Sequence, residues 1–177
     1  MNFVLDNSVV MRWYFGDGKP ADLAYATRVL EALKDAEARV PDIWNLEVAN
    51  VLARAEAKAL VTEARSEVFI GLLSRLNIVV DGETSSRAWG STLQLARRYQ
   101  LSAYDAAYLE LALRDGLPLA TLDVNVMKAA RRAGVEHFDI KPTRRKRKLA
   151  STSGIGEDAE ACGKDHDRFL YKNKAVD

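Results

Sequence analysis

The chain has 177 residues, 48% of them hydrophobic and 29% charged, with a net charge of +1. That is ordinary for a soluble globular protein and enough for one domain with a real core. The single cysteine, Cys162, excludes an intramolecular disulfide and a multi-cysteine zinc site, which points to a reducing compartment such as the cytoplasm. No run approaches a transmembrane helix, and the N-terminus lacks a basic segment followed by an apolar one, so no membrane partner is expected.

The chain opens with FVLD (3–6), a short apolar run suited to a buried parallel strand. Residues 20–38 place Leu23, Ala26, Leu30 and Leu33 at helical spacing behind Pro20. ARVP (38–41) reads as a second strand and 42–60 as a long helix. A further helix is predicted over 62–76, with Thr62 as its N-cap. NIVVD (77–81) reads as a strand, 84–99 as one helix and 102–115 as another. LPLATLD (117–123) is a strand, 124–133 a helix closed by Gly134, and VEHFDI (135–140) a last strand. This alternation predicts an α/β layered domain with a mainly parallel central sheet flanked by helices. There is no internal repeat and no GxGxxG or Walker-type glycine loop.

The character changes at Lys141. Residues 141–177 carry 10 Lys/Arg and 6 Asp/Glu, a net +4, whereas residues 1–140 carry 16 and 19, a net −3. The basic cluster RRKRK is followed by a Ser/Gly-rich acidic stretch, and apolar periodicity is lost. We expect a domain over 1–140 and a flexible tail over 141–177, with DRFLYKN as a short docking candidate. Such basic runs contact RNA or serve as nuclear addresses in some proteins, and more often are only solvated.

Four acids stand out. FVLD and ATLD both end in aspartate, and the carboxyl ends of parallel strands form the ligand-binding edge of a sheet. Asp6 and Asp123 therefore fall at that edge, although either one alone serves equally well to cap the next helix. Glu47 shares a helix face with Trp44 and Val51, so its carboxylate runs beside the apolar stripe, where it needs a metal or a basic partner such as Arg54. Asp105 lies three residues after Ser102, which resembles a capping box. Capping and facing an ion need not exclude each other. A site role requires the Asp105 carboxylate to point towards Asp6 and Asp123 rather than back to the backbone nitrogen of Ser102.

Like charges this close repel by about 4 kcal/mol per pair at about 4 Å and an effective dielectric of about 20. Such a cluster protonates or recruits a cation. Carboxylates with no histidine or cysteine nearby suit a hard ion, Mg²⁺ or Mn²⁺. His137 and His166 lie far from these motifs in sequence, and nothing suggests a Ser–His–Asp arrangement.

VLDNSV, WNLEVANVL, LSAYDAAYLELA and LPLATLDVNVMKAARRAGV, in this order and spacing, resemble PIN domains, most of all the VapC toxins of bacterial toxin–antitoxin pairs. The resemblance covers residues 1 to 140 and implies a PIN-like three-layer sandwich. It implies an Mg²⁺- or Mn²⁺-dependent ribonuclease that cuts structured RNA such as tRNA or rRNA, leaving 5′-phosphate and 3′-hydroxyl ends. Asp6, Glu47, Asp105 and Asp123 match the family's catalytic and metal-holding acids. Ser8 and Thr121 match its hydroxyls, which orient those carboxylates. Asn125 stands where many members carry a further acid, which weakens a second metal position. The resemblance also implies a homodimer and an antitoxin whose C-terminal segment fills the groove; helices 20–38 and 42–76 are candidates for its docking surface. Arg12, Lys128, Arg131 and Arg132 are candidates for RNA backbone contacts. The rival expectations are a housekeeping PIN nuclease in RNA maturation and a catalytically silent PIN-fold binding module.

Overall fold

The computed structural model describes residues 1–139; the basic cluster, Cys162, His166 and DRFLYKN lie outside the described residues. Strands β1 (Phe3–Leu5), β2 (Ala38–Val40), β3 (Ile78–Val80) and β4 (Leu119–Ala120) form one parallel sheet in the order β3-β2-β1-β4. The register pairs Val4 with Arg39 on one side and with Leu119 on the other. Phe3, Val4 and Leu5 are fully buried, as a central strand covered on both faces requires.

The chain runs outward from β1 through β2 to β3, then returns to place β4 on the other side of β1. With right-handed crossovers, that reversal puts the helices of the two halves on opposite faces. The helices do pack in two groups. α1 (Asn7–Phe15) contacts α2 (Pro20–Ala32) and α3 (Trp44–Ala57), while α7 (Ala103–Asp115) packs on β1 and β4 and is flanked by α6 (Leu93–Tyr99) and α8 (Val124–Ala133). The gap between the carboxyl ends of β1 and β4 is the switch point of the sheet, where open α/β folds bind their ligands.

Three elements depart from the sequence expectation. α1 was not foreseen. It follows β1 without a loop, and its apolar run Val9, Val10 and Met11 reads as a continuation of the strand until Tyr14 and the terminating Gly16 (φ 67°) are placed. The helix expected over 84–99 is interrupted. α5 (Thr84–Arg87) gives way to a widened π-type turn over Ala88–Thr92 before α6 begins, because Gly90 leaves helical geometry at φ −102° and ψ −107°. The last strand over 135–140 shrinks to one bridge, Leu119 to His137, because β4 itself is only two residues long. Phe138 nevertheless stacks on Phe3 at 4.0 Å and closes that side of the core. α4 (Glu63–Leu73) begins as expected, with the Thr62 hydroxyl accepting from the backbone N–H of Arg65.

Candidate active site

Asp6 follows β1 and occupies the N-cap position of α1, yet its carboxylate does not cap that helix. Two hydroxyls claim it instead. Ser8 Oγ donates to Asp6 Oδ2 at 2.6 Å and Thr121 Oγ1 donates to the same oxygen at 2.5 Å. Each hydroxyl is itself aimed by a backbone donor, Leu122 N–H for Ser8 and Asp123 N–H for Thr121, both at 3.0 Å. The proton of each hydroxyl is thereby committed to Asp6. Oδ1 takes no hydrogen bond from the described residues. Burial pushes the Asp6 carboxyl up to about 6 against the pull of the two hydroxyls, and the charges of Asp105 and Asp123 push the same way.

Glu47 lies one turn into α3, on the face that also buries Trp44 and Val51. Its Oε2 accepts a short hydrogen bond from the phenol of Tyr108 on α7. Burial raises Glu47 to about 7; the Tyr108 hydroxyl opposes this, and the charges of Asp6 and Asp105 add to it.

Asp105 sits in the first turn of α7, whose N-cap is Ser102. Ser102 Oγ accepts from Asp105 N–H at 3.0 Å and donates to Asp105 Oδ2 at 2.7 Å. The capping arrangement is therefore present, made mainly through the Ser102 hydroxyl, with the Ser102 backbone N–H also favouring the charged carboxylate. Burial still raises Asp105, and the charge of Asp123 raises it further. Asp105 therefore meets the capping outcome, its carboxylate engaged with Ser102, while the charge of Asp123 still acts on it. Asp123 does cap its helix: Oδ1 accepts from Asn125 N–H at 2.7 Å and Val126 N–H at 2.9 Å, fixing the start of α8.

Among the described residues no three acidic, histidine or cysteine side chains stand as a ready-made ligand set. The donor chemistry nevertheless fits a hard divalent cation. All four groups are carboxylates, their charges act on one another, and no salt bridge among the described residues reaches any of them. Repulsion on this scale spreads carboxylates apart unless a cation sits between them.

A family model described as the PIN domain matches residues 3–132, a span that contains all four acids. The chain belongs to the PIN domain family. PIN domains are generally nucleases that use divalent metal ions. No curated protein is significantly similar to it in sequence. Among solved structures, its fold is similar to that of VapBC2 from Rickettsia felis, determined bound to a DNA fragment from their promoter. The TM-score is 0.56 at 13% identity, over 78% of this chain and 98% of that one. It is also similar to PAE2754 from Pyrobaculum aerophilum, with a TM-score of 0.51 at 21% identity, over 73% and 79%. FitAcB from Neisseria gonorrhoeae aligns with a TM-score of 0.46 at 18% identity, over 78% and 97%. At these identities the likeness is one of fold.

The basic candidates of this PIN domain divide. Arg12 Nη1 donates to Asp17 at 2.9 Å, its side chain is only 11% exposed, and Gly18 packs against its guanidinium. A substrate contact by Arg12 needs that pair to open. Lys128, Arg131 and Arg132 are exposed on α8, where Arg132 also lies 5.4 Å over the Tyr99 ring. Asn125 contributes its backbone to the Asp123 cap while its side chain is exposed. The residue that sequence reading missed is Tyr108. One signal was available: Tyr108 is three residues after Asp105, so the two share a face of α7.

Proposed function

We propose that this PIN domain is an Mg²⁺- or Mn²⁺-dependent endoribonuclease of the cytoplasm that hydrolyses phosphodiester bonds in structured RNA, and that it is the toxin of a toxin–antitoxin pair. The observation that carries the reading is the mutual electrostatic coupling of Asp6, Glu47, Asp105 and Asp123 at the switch point of the sheet. Asp6 and Asp105 would hold the ion, with Glu47 and Asp123 completing the pocket directly or through water. The ion supplies a water acidic enough to attack at neutral pH and offsets negative charge on the phosphate. Ser8 and Thr121 keep Asp6 oriented by occupying one of its oxygens.

A partner is supported by α4. Phe69 and Leu73 of this helix are buried, yet Val68, Ile70 and Leu72 are exposed, so the helix is apolar on both sides. We assign this face to the antitoxin, and a homodimer accompanies the reading.

Cleavage of total RNA with end mapping tests the proposal. We expect metal-dependent cuts with 5′-phosphate ends, and a loss of roughly 10²–10³-fold in Asp6→Asn, the scale of removing a group that stabilises transition-state charge. Full Mg²⁺-dependent cleavage by Asp6→Asn would falsify the assignment. Co-purification with the product of a short neighbouring gene, weakened by Ile70→Asp, tests the partner; failure of the pair to associate favours a housekeeping nuclease.

A further inference from the structure

The four acids differ in how they are held. Asp6, Asp105 and Asp123 each take donors from hydroxyls or backbone groups close to the start of a helix, and their side chains are short. Glu47 is different. It has one more rotatable bond, it is half-buried in the first turn of α3, and its carboxylate is held by a phenol from another helix rather than by the aliphatic hydroxyls and backbone groups that hold the others. The donor, Tyr108, is 1% exposed and is among the largest fully buried side chains of the domain. Its ring is buried in the close-packed core, so the hydroxyl is delivered from a fixed point.

We propose that Tyr108 is a positioning residue that holds the Glu47 carboxylate inside the acid pocket by occupying Oε2. The inference rests on the reading of this pocket as a metal-dependent nuclease site. Three observations support it. Asp6 and Asp105 repel Glu47, so an unrestrained glutamate would swing outwards to solvent. The phenol hydroxyl is a directional donor, and its bond to Oε2 takes one lone pair of that oxygen and fixes the orientation of the carboxylate. Tyr108 also lies one turn beyond Asp105 on α7, so a single rigid helix sets the position of one acid directly and of a second through the phenol.

Tyr108→Phe removes one oxygen and keeps the buried ring. We expect Mn²⁺ affinity, read by calorimetry or by electron paramagnetic resonance, to fall about 10- to 100-fold, the range for groups that orient metal ligands. For RNA cleavage we expect kcat to fall with little change in KM. The deciding comparison is made in the Glu47→Ala background. If Tyr108 acts through Glu47, adding Tyr108→Phe there has no further effect on Mn²⁺ affinity. An equal loss in both backgrounds means that the hydroxyl acts independently of Glu47, and unchanged affinity in the single variant means that the hydroxyl is idle; either outcome overturns the proposal. A crystal structure of the metal-free Tyr108→Phe chain separates this claim from the nuclease reading. We expect the Glu47 carboxylate to have left the pocket. If the parent chain binds no Mn²⁺ at all, the metal reading fails, while the position of Glu47 still decides on Tyr108.

Discussion

Two groups of carboxylates are buried in this domain, and they are held in opposite ways. Around Asp6 the acids face hydroxyls, backbone N–H groups and one another, and burial drives the proton affinity of Asp6, Glu47 and Asp105 up. Around Asp81, at the exit of β3, the acids face arginines. Arg114 Nη2 lies 2.9 Å from Asp81 Oδ2 and Arg39 Nη2 lies 3.7 Å from Oδ1. Arg114 also reaches Glu110 and Asp115, both at 3.3 Å, and Arg39 pairs with Asp115. Thr84 and the backbone of Glu83 complete the shell of Asp81. Burial alone would raise Asp81, but these donors and the Arg114 charge hold it below the usual carboxylate range. The contrast separates two uses of buried charge. The Asp81 network has cations built in and ties β2, the end of β3 and α7 together. The Asp6 pocket has none among its salt-bridge partners, so it accumulates negative potential that an external cation can satisfy.

Variants should push the two regions in opposite directions. Asp81→Ala leaves two arginines without their buried partner and should cost about 3 kcal/mol or more, lowering Tm by roughly 10 °C in calorimetry. An unchanged Tm would mean that the network is solvated and idle.

The pH response of the metal-free chain should carry the signature of the acid pocket. The rise of Asp6 from 3.8 to about 6 corresponds to roughly 3 kcal/mol. Below about pH 4 Asp6 is protonated in both the folded and unfolded chains, and this stability is fully present. Between about pH 4 and 6 the folded chain keeps a proton that the unfolded chain has lost, so stability falls as pH rises. Glu47 extends the fall to about pH 7, by less because it is only half-buried. Asp81 works the other way: its contribution is present above the ordinary carboxylate range and is lost as pH drops through its lowered value. Urea unfolding of metal-free protein should therefore show lower stability at pH 8 than at pH 5, with Mn²⁺ restoring much of the difference. A rise in stability from pH 5 to pH 8 without metal would contradict the burial of Asp6.

Asp6→Asn isolates the same effect in one residue. The amide oxygen can still accept from Ser8 and Thr121, and the buried charge is gone. The metal-free variant should be more stable than the parent at pH 8 by about 2 kcal/mol while losing cleavage, and its slope with pH should flatten. Ser102→Ala makes the smallest change. It removes the cap of α7 and the hydroxyl on Asp105, and should cost about 1 kcal/mol in thermal unfolding.

Much of this was legible in the chain itself. The apolar runs FVL, IVV and LA, the helix-capping Thr62 and Ser102 and Gly134 after α8 are local signals, and they stand where they were read. So does the spacing that brings Glu47 onto the face of Trp44 and Val51. What local signals could not mark was α1, whose apolar run continues that of β1, and the break at Gly90, which depends on how the turn packs on α7. The shell of donors was half legible. Ser8 and Thr121 lie within two residues of site aspartates, but Tyr108 meets Glu47 only when two helices come together.

All four strands of this protein lead into an aspartate: Asp6 directly after β1, Asp81 directly after β3, Asp42 two residues beyond β2 and Asp123 three residues beyond β4. Sequence alone determined that these carboxylates fall at the carboxyl edge of a parallel sheet, because strand pattern and chain direction are local properties. It could not say which of them come close to one another. The strand order β3-β2-β1-β4 decides that, setting β1 beside β4 at the switch point and β3 two strands from β1. There Arg39 and Arg114 reach Asp81, while no salt bridge among the described residues reaches Asp6 or Asp123. Whether a buried acid is a strut or a site depends on which cations the fold brings within reach, and that is settled only by tertiary structure.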